Sequence, residues 1–72
     1  MITYKNLWTY MEEHQVSQYK LVASGISHST LARLKRNQSV SVYTIDKLCN
    51  ILGCGINDIM EHIPDKRSNK SK

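Results

Sequence analysis

The chain has 72 residues, 40% of them hydrophobic, with one Trp, no Phe and a formal charge of +4. A chain this short makes one domain that buries roughly 60 to 65% of its unfolded surface, which leaves apolar matter for a single core and none for an enclosed ligand cavity. Residues 65–72 hold four bases and one acid, so only +1 falls on residues 1–64, and no run approaches a membrane span or a signal peptide, which points to a cytoplasmic protein with no membrane partner.

Thr3 to His14 reads as a first helix: Tyr4, Leu7, Trp8 and Met11 share a stripe about 100° wide, and Thr3 can cap it. Trp8 is expected in the core. Glu12 and Glu13 close this helix at the end where its dipole disfavours acids, so the end is expected to fray or to recruit a base. Val16 leads to a short second helix from Ser17 to about Ser24, with Ser17 as N-cap and Leu21 and Val22 facing inward. Gln18 then projects beside exposed backbone N–H groups, an arrangement that suits a phosphate.

Gly25 permits the positive φ of a tight turn, and Ile26 is expected as a buried plug. A third helix follows over residues 27–36, N-capped by Ser27 and ended by Asn37 in a left-handed conformation. Leu31 and Leu34 form its narrow apolar face. The opposite arc carries His28, Ser29, Ala32, Arg33 and Arg36, and two leucines contribute only about 3 to 6 kcal/mol of transfer free energy, so this helix depends on a scaffold. Between Gln15 and Ile45 stand the bases Lys20, Arg33, Lys35 and Arg36 and no acid at all. That bias separates the segment from an ordinary solvated face.

Ser41 caps a fourth helix to about Leu52, with Val42, Ile45, Leu48, Cys49 and Leu52 inward and Gly53 ending it. Two cysteines, Cys49 and Cys54, are too few for a disulfide scaffold and are expected as thiols, Cys49 serving as a small hydrophobe. A fifth helix is expected from Asn57, its N-cap, with Ile56, Ile59, Met60 and Ile63 on one side and Pro64 as its stop. Residues 1–64 thus form the folded domain, and residues 65–72 a disordered basic tail.

Two short helices joined by a tight turn, the second basic on its outer face, make a helix-turn-helix pattern. Read together, Ser17-Gln18-Tyr19-Lys20-Leu21, Gly25-Ile26-Ser27 and Ser29-Thr30-Leu31-Ala32-Arg33-Leu34 resemble the Cro/CI-type (xenobiotic-response-element) DNA-binding domains of bacteria and phages. The similarity extends from about Leu7 to Pro64 and includes Ser41 to Cys49 and Ile56-Asn57-Asp58-Ile59. It implies an all-α, lambda-repressor-like compact five-helix bundle whose third helix enters the DNA major groove. It also implies that Gln18 contacts a phosphate and that His28, Ser29 and Arg33 read bases. Two departures stand out. The span from Leu21 to Gly25 is one residue shorter than in many members, and Arg36-Asn37-Gln38 replaces an acid, Asn and Gly.

The side chains support the same roles on their own chemistry. Arg33 can donate a bidentate pair to guanine O6 and N7, and the methyl of Ala32 can meet a thymine methyl. Lys20, Lys35 and Arg36 suit phosphates, as do Ser41, Tyr43 and Thr44 at the start of the fourth helix. Ser17 and Asn37, at helix ends, complete the expected phosphate contacts.

Catalysis is not expected. His14, His28 and His62 share no metal-ligand spacing with Cys49 and Cys54, and there is no Gly-rich phosphate loop, so neither metal, cofactor nor small-molecule ligand is implied. The expected function is a sequence-specific regulator of transcription, a repressor, binding double-stranded DNA as a homodimer. Its expected dimer surface is the fifth helix with Ile59, Met60 and Ile63. The alternative is a protein-interaction module, such as the antitoxin or adaptor component of a mobile-element system. RNA binding lacks the exposed aromatic platform that single strands require.

Overall fold

The computed structural model describes residues 1–64, and the basic tail expected at 65–72 lies outside the described residues. Strand β1 (Ile2–Thr3) is followed by helices α1 (Lys5–Glu13), α2 (Gln18–Ala23), α3 (His28–Lys35) and α4 (Val42–Leu52), a 3₁₀ turn at Ile56–Asp58, and strand β2 (Glu61–His62). One core joins them. It takes Tyr4, Leu7 and Met11 from the first segment, Leu21 from α2, Leu31 and Leu34 from α3, and Ile45 and Leu48 from α4. Ile26 plugs it from the turn, and Ile59 from the end of the 3₁₀ segment. Trp8 is half-buried against this core.

All four helices end the same way. In each, the N–H of residue i+5 donates to the carbonyl of residue i: Val16 to Met11 at 2.8 Å, Ile26 to Leu21 at 3.0 Å, Gln38 to Arg33 at 2.8 Å and Cys54 to Cys49 at 3.1 Å. The residue at i+4 is Gln15, Gly25, Asn37 or Gly53, each with positive φ. This motif satisfies orphan carbonyls and normally brings the side chains of i and i+5 into apolar contact. Met11 with Val16 and Leu21 with Ile26 fill those positions with core or core-packed side chains. The closed end of α1 replaces the fraying expected there, and His14 stacks on Tyr10, ring centroids 4.0 Å apart, with Nδ1–H donating to the Tyr10 carbonyl at 2.9 Å.

Three expectations are corrected. The first helix begins at Lys5, because Ile2 and Thr3 pair antiparallel with His62 and Glu61. Thr3 still serves the helix start, its Oγ1 accepting the Lys5 N–H at 3.2 Å. The N–H of Ile63 extends the ladder to the Met1 carbonyl at 2.8 Å.

The fifth helix is absent from the described residues, where four α-helices stand instead of five. Gly55, not Asn57, occupies the N-cap of the 3₁₀ turn, its N–H donating to Asp58 Oδ2 at 3.4 Å. Residues 61–62 instead find backbone partners in β1, while Ile59 still reaches the core.

Val42, expected inward, is 83% exposed. It lies about 90° from the midline of Ile45 and Leu48 at 100° per residue, in the first turn of α4.

Candidate nucleic-acid interface

Three serines start three helices with extended backbone. Ser17 Oγ accepts the Lys20 N–H at 3.3 Å, Ser27 Oγ accepts that of Thr30 at 3.2 Å, and Ser41 Oγ accepts that of Thr44 at 3.1 Å. Each cap satisfies one donor of a helix N-terminus and leaves others facing outward. Gly25 (φ 110°) and buried Ile26 turn the chain between α2 and α3, and Leu21 of the first helix and Leu31 and Leu34 of the second enter one core.

With Leu31 and Leu34 inward, α3 presents the remainder of its surface to solvent. His28, Ser29, Arg33, Lys35 and Arg36 are exposed, and Ala32 is half-buried. Ser29 Oγ lies 3.3 Å from Ser27 Oγ, which holds its hydroxyl at the tip of the helix. Arg33 stands where α1 and α2 place Met11 and Leu21 in the helix-ending motif, opposite exposed Gln38. No apolar contact is built there, and the guanidinium is left to solvent.

Gln18, Tyr19 and Val22 of α2 and His28, Leu31, Ala32 and Lys35 of α3 line a groove of about 480 Å³. It brings together four of the expected contact residues, Gln18, His28, Ala32 and Lys35. Arg33, Arg36 and Ser29 lie outside it on the outer face of α3. Ser17, Lys20, Ser41 and Tyr43 are exposed and Thr44 half-buried, none of them on its walls.

Asn37 has a structural task that the sequence did not disclose. Its Oδ1 accepts the Tyr4 N–H at 3.0 Å, and the Tyr4 hydroxyl donates to the Gln38 carbonyl at 2.9 Å. These bonds tie the end of α3 to the start of α1 and leave the amide Nδ2 as the remaining donor of the Asn37 side chain.

Two residues of this surface escaped sequence reasoning. Tyr19 is 78% exposed on the groove wall. Its position beside Gln18, about 200° from inward Leu21, is the signal that could have found it. Lys47 of α4 donates from Nζ to the Gly25 carbonyl at 3.3 Å and lies 5.9 Å from the centre of the Tyr43 ring. That bond links α4 to the turn of the helix pair and places a cation beside a tyrosine that is 71% exposed. Only the fold shows it, since it spans 22 residues of sequence.

No helix among the described residues is long and apolar enough to cross a membrane, and no group of three or more His, Cys, Asp or Glu there could hold a metal ion. The family model for the Cro/C1-type HTH DNA-binding domain matches residues 6–65. The crystal structure of transcriptional regulator VanUg, Form II, is similar at 31% identity and a TM-score of 0.81, covering 89% of this chain and 87% of that one. No curated protein matches.

Proposed function

The chain belongs to the Cro/C1-type helix-turn-helix DNA-binding domains, and on that premise we propose that it is a sequence-specific repressor that binds double-stranded DNA as a homodimer, α3 lying in the major groove. The carrying observation is the outer face of α3, where His28, Ser29, Arg33, Lys35 and Arg36 are all exposed in a stretch without an acid. Such a face matches the polyanionic edge of a duplex, and a helix of this width fits the major groove.

Arg33 donates its two parallel N–H groups to guanine. His28 and Ser29, at the helix tip, meet neighbouring base edges, and Ala32 offers a methyl to thymine. Ser17, Gln18, Lys20, Lys35, Arg36, Asn37, Ser41, Tyr43 and Thr44 hold the phosphates and set the register. The chain works without a catalytic step, cofactor or small-molecule ligand. Repression follows from occupancy, a bound module excluding the polymerase from the same duplex. The four bases of residues 65–72 add sequence-independent attraction.

A single module binds weakly, so two copies on half-sites about 34 Å apart are expected. Ile59 cannot contribute to their contact, because it is fully buried. Ile63 of that expected surface is 42% exposed, and Val42 and Ile56, 83% and 58% exposed, border one recess and offer further apolar side chains for it.

The test is a duplex titration at two salt concentrations, using a site selected from a randomised pool. Arg33→Ala is expected to lose discrimination at one base pair by about 1 to 3 kcal/mol. Lys35→Ala is expected to weaken every sequence alike and to flatten the log–log salt slope by about 0.9. Parental behaviour of both variants contradicts the groove assignment. Absence of binding at low salt favours the antitoxin or adaptor reading, with the Val42 and Ile56 recess as the protein contact.

A further inference from the structure

The helix-ending motif of α4 places Cys49 and Cys54 at positions i and i+5. In α1 and α2 these positions hold the apolar pairs Met11 with Val16 and Leu21 with Ile26. Gly53, at φ 67°, reverses the chain, and the Cys54 N–H reaches back to the Cys49 carbonyl at 3.1 Å. Both thiols are free and half-buried, and both line a recess of about 330 Å³ with Val42, Ile45 and Ile56.

A pair of small hydrophobes would satisfy the motif equally well. Two thiols in these positions can do more, because the backbone bond joins their residues across the reversal and both side chains line the same recess. We propose that Cys49 and Cys54 are a modification site, a dithiol that a low-molecular-weight disulfide such as glutathione disulfide converts into an intramolecular cross-link clamping the end of α4.

The reaction balances as two exchanges. One protein thiolate attacks a sulfur of glutathione disulfide, forming a mixed disulfide and expelling a glutathione thiolate, which takes up a proton. The second protein thiolate then attacks the protein sulfur of that mixed disulfide. The Cys49–Cys54 bond forms and a second glutathione leaves. The protein loses two electrons and two protons, and the reagent is reduced to two thiols.

Burial, followed by the neighbouring Cys49 and the Asp58 carboxylate, raises the pKa of the Cys54 thiol. The exchange is therefore expected to accelerate as pH rises, since the thiolate is the nucleophile. The cross-link closes a loop of six residues, 49 to 54. A ring of that size constrains the unfolded chain enough to raise the thermal midpoint by roughly 5 °C or more.

The test uses the full chain in glutathione redox buffers, read by intact mass and by maleimide labelling of the native and denatured protein. The expected product is a monomer lighter by two hydrogens, with labelling falling from two thiols to none and returning on reduction. Cys49→Ala and Cys54→Ala, each checked for its native circular dichroism, are expected to stop at one glutathione adduct. Two adducts on the parent chain, a disulfide between two chains, or two thiols that persist through the oxidising range of the buffer would each overturn the proposal. The readout does not involve DNA, so its outcome is independent of the groove assignment.

Discussion

Arg33 occupies, in α3, the helical position that α1 and α2 give to Met11 and Leu21, and its partner Gln38 is exposed. One helix end has thus given up an apolar contact and keeps a guanidinium in solvent. Arg33→Ala is accordingly expected to change folding stability by no more than about 0.5 kcal/mol, whereas the proposed base contact predicts a change in DNA discrimination. Asn37 is the opposite kind of residue. It holds φ 56° and accepts the Tyr4 N–H, so Asn37→Ala loses a hydrogen bond and strains the backbone together. A loss of about 2 to 3 kcal/mol is expected in urea unfolding, and Asn37→Gly, which keeps the conformation, should lose about 1 kcal/mol. Cys54 gives a pH signature. Its pKa is raised in the fold, so the unfolded chain releases this proton first as pH rises. Stability from this group is fully present below the unfolded thiol's pKa and is lost as pH climbs through the higher folded value. The parent should lose more stability than Cys54→Ala between about pH 8 and pH 10, as measured by paired urea titrations.

Among the elements, the segments at 18–23, 28–35 and 42–52 were legible because each begins with a serine cap and carries a regular apolar stripe. Gly25, Asn37 and Gly53 marked three of the four helix ends for the same local reason, their tolerance of positive φ. Gln15 ends α1 in the same conformation and carries no such mark. The strand pair was not legible, since it joins residues about sixty positions apart, and the four apolar residues at 56, 59, 60 and 63 imitate a helical stripe. At the interface, the exposure of α3 could be read from periodicity. The groove with Tyr19 and the Lys47 bond to Gly25 could not, because both depend on how the helices cross.

Two substitutions separate the observed end of the chain from the expected helix. Ile59→Ala should lose about 2 to 5 kcal/mol, as a fully buried isoleucine does. Ile56→Ala should lose less than about 1 kcal/mol, although a helix would have placed the two side chains on one stripe. Gly25→Ala should lose about 1 to 3 kcal/mol through its φ of 110°, the lysine nearby being a flexible neighbour.

For the whole molecule, the charge of residues 1–64 is only +1, yet it is unevenly distributed along the chain. The acids Glu12, Glu13, Asp46, Asp58 and Glu61 all fall outside the stretch from α2 to the start of α4. A small net charge with a segregated cationic face supports docking in one orientation, whereas a basic tail adds affinity without orientation. Removing residues 65–72 is therefore expected to lower affinity for all duplexes and to leave discrimination between them unchanged. The proposed meeting of the duplex with α3 underlies these expectations. It is tested most directly by following backbone amide resonances as a selected duplex is added. The perturbed amides are expected to be those of Ser17 to Lys20, His28 to Asn37 and Ser41 to Thr44. Perturbations confined to Ile2, Ile56, Met60 and His62, with α3 unmoved, would contradict it.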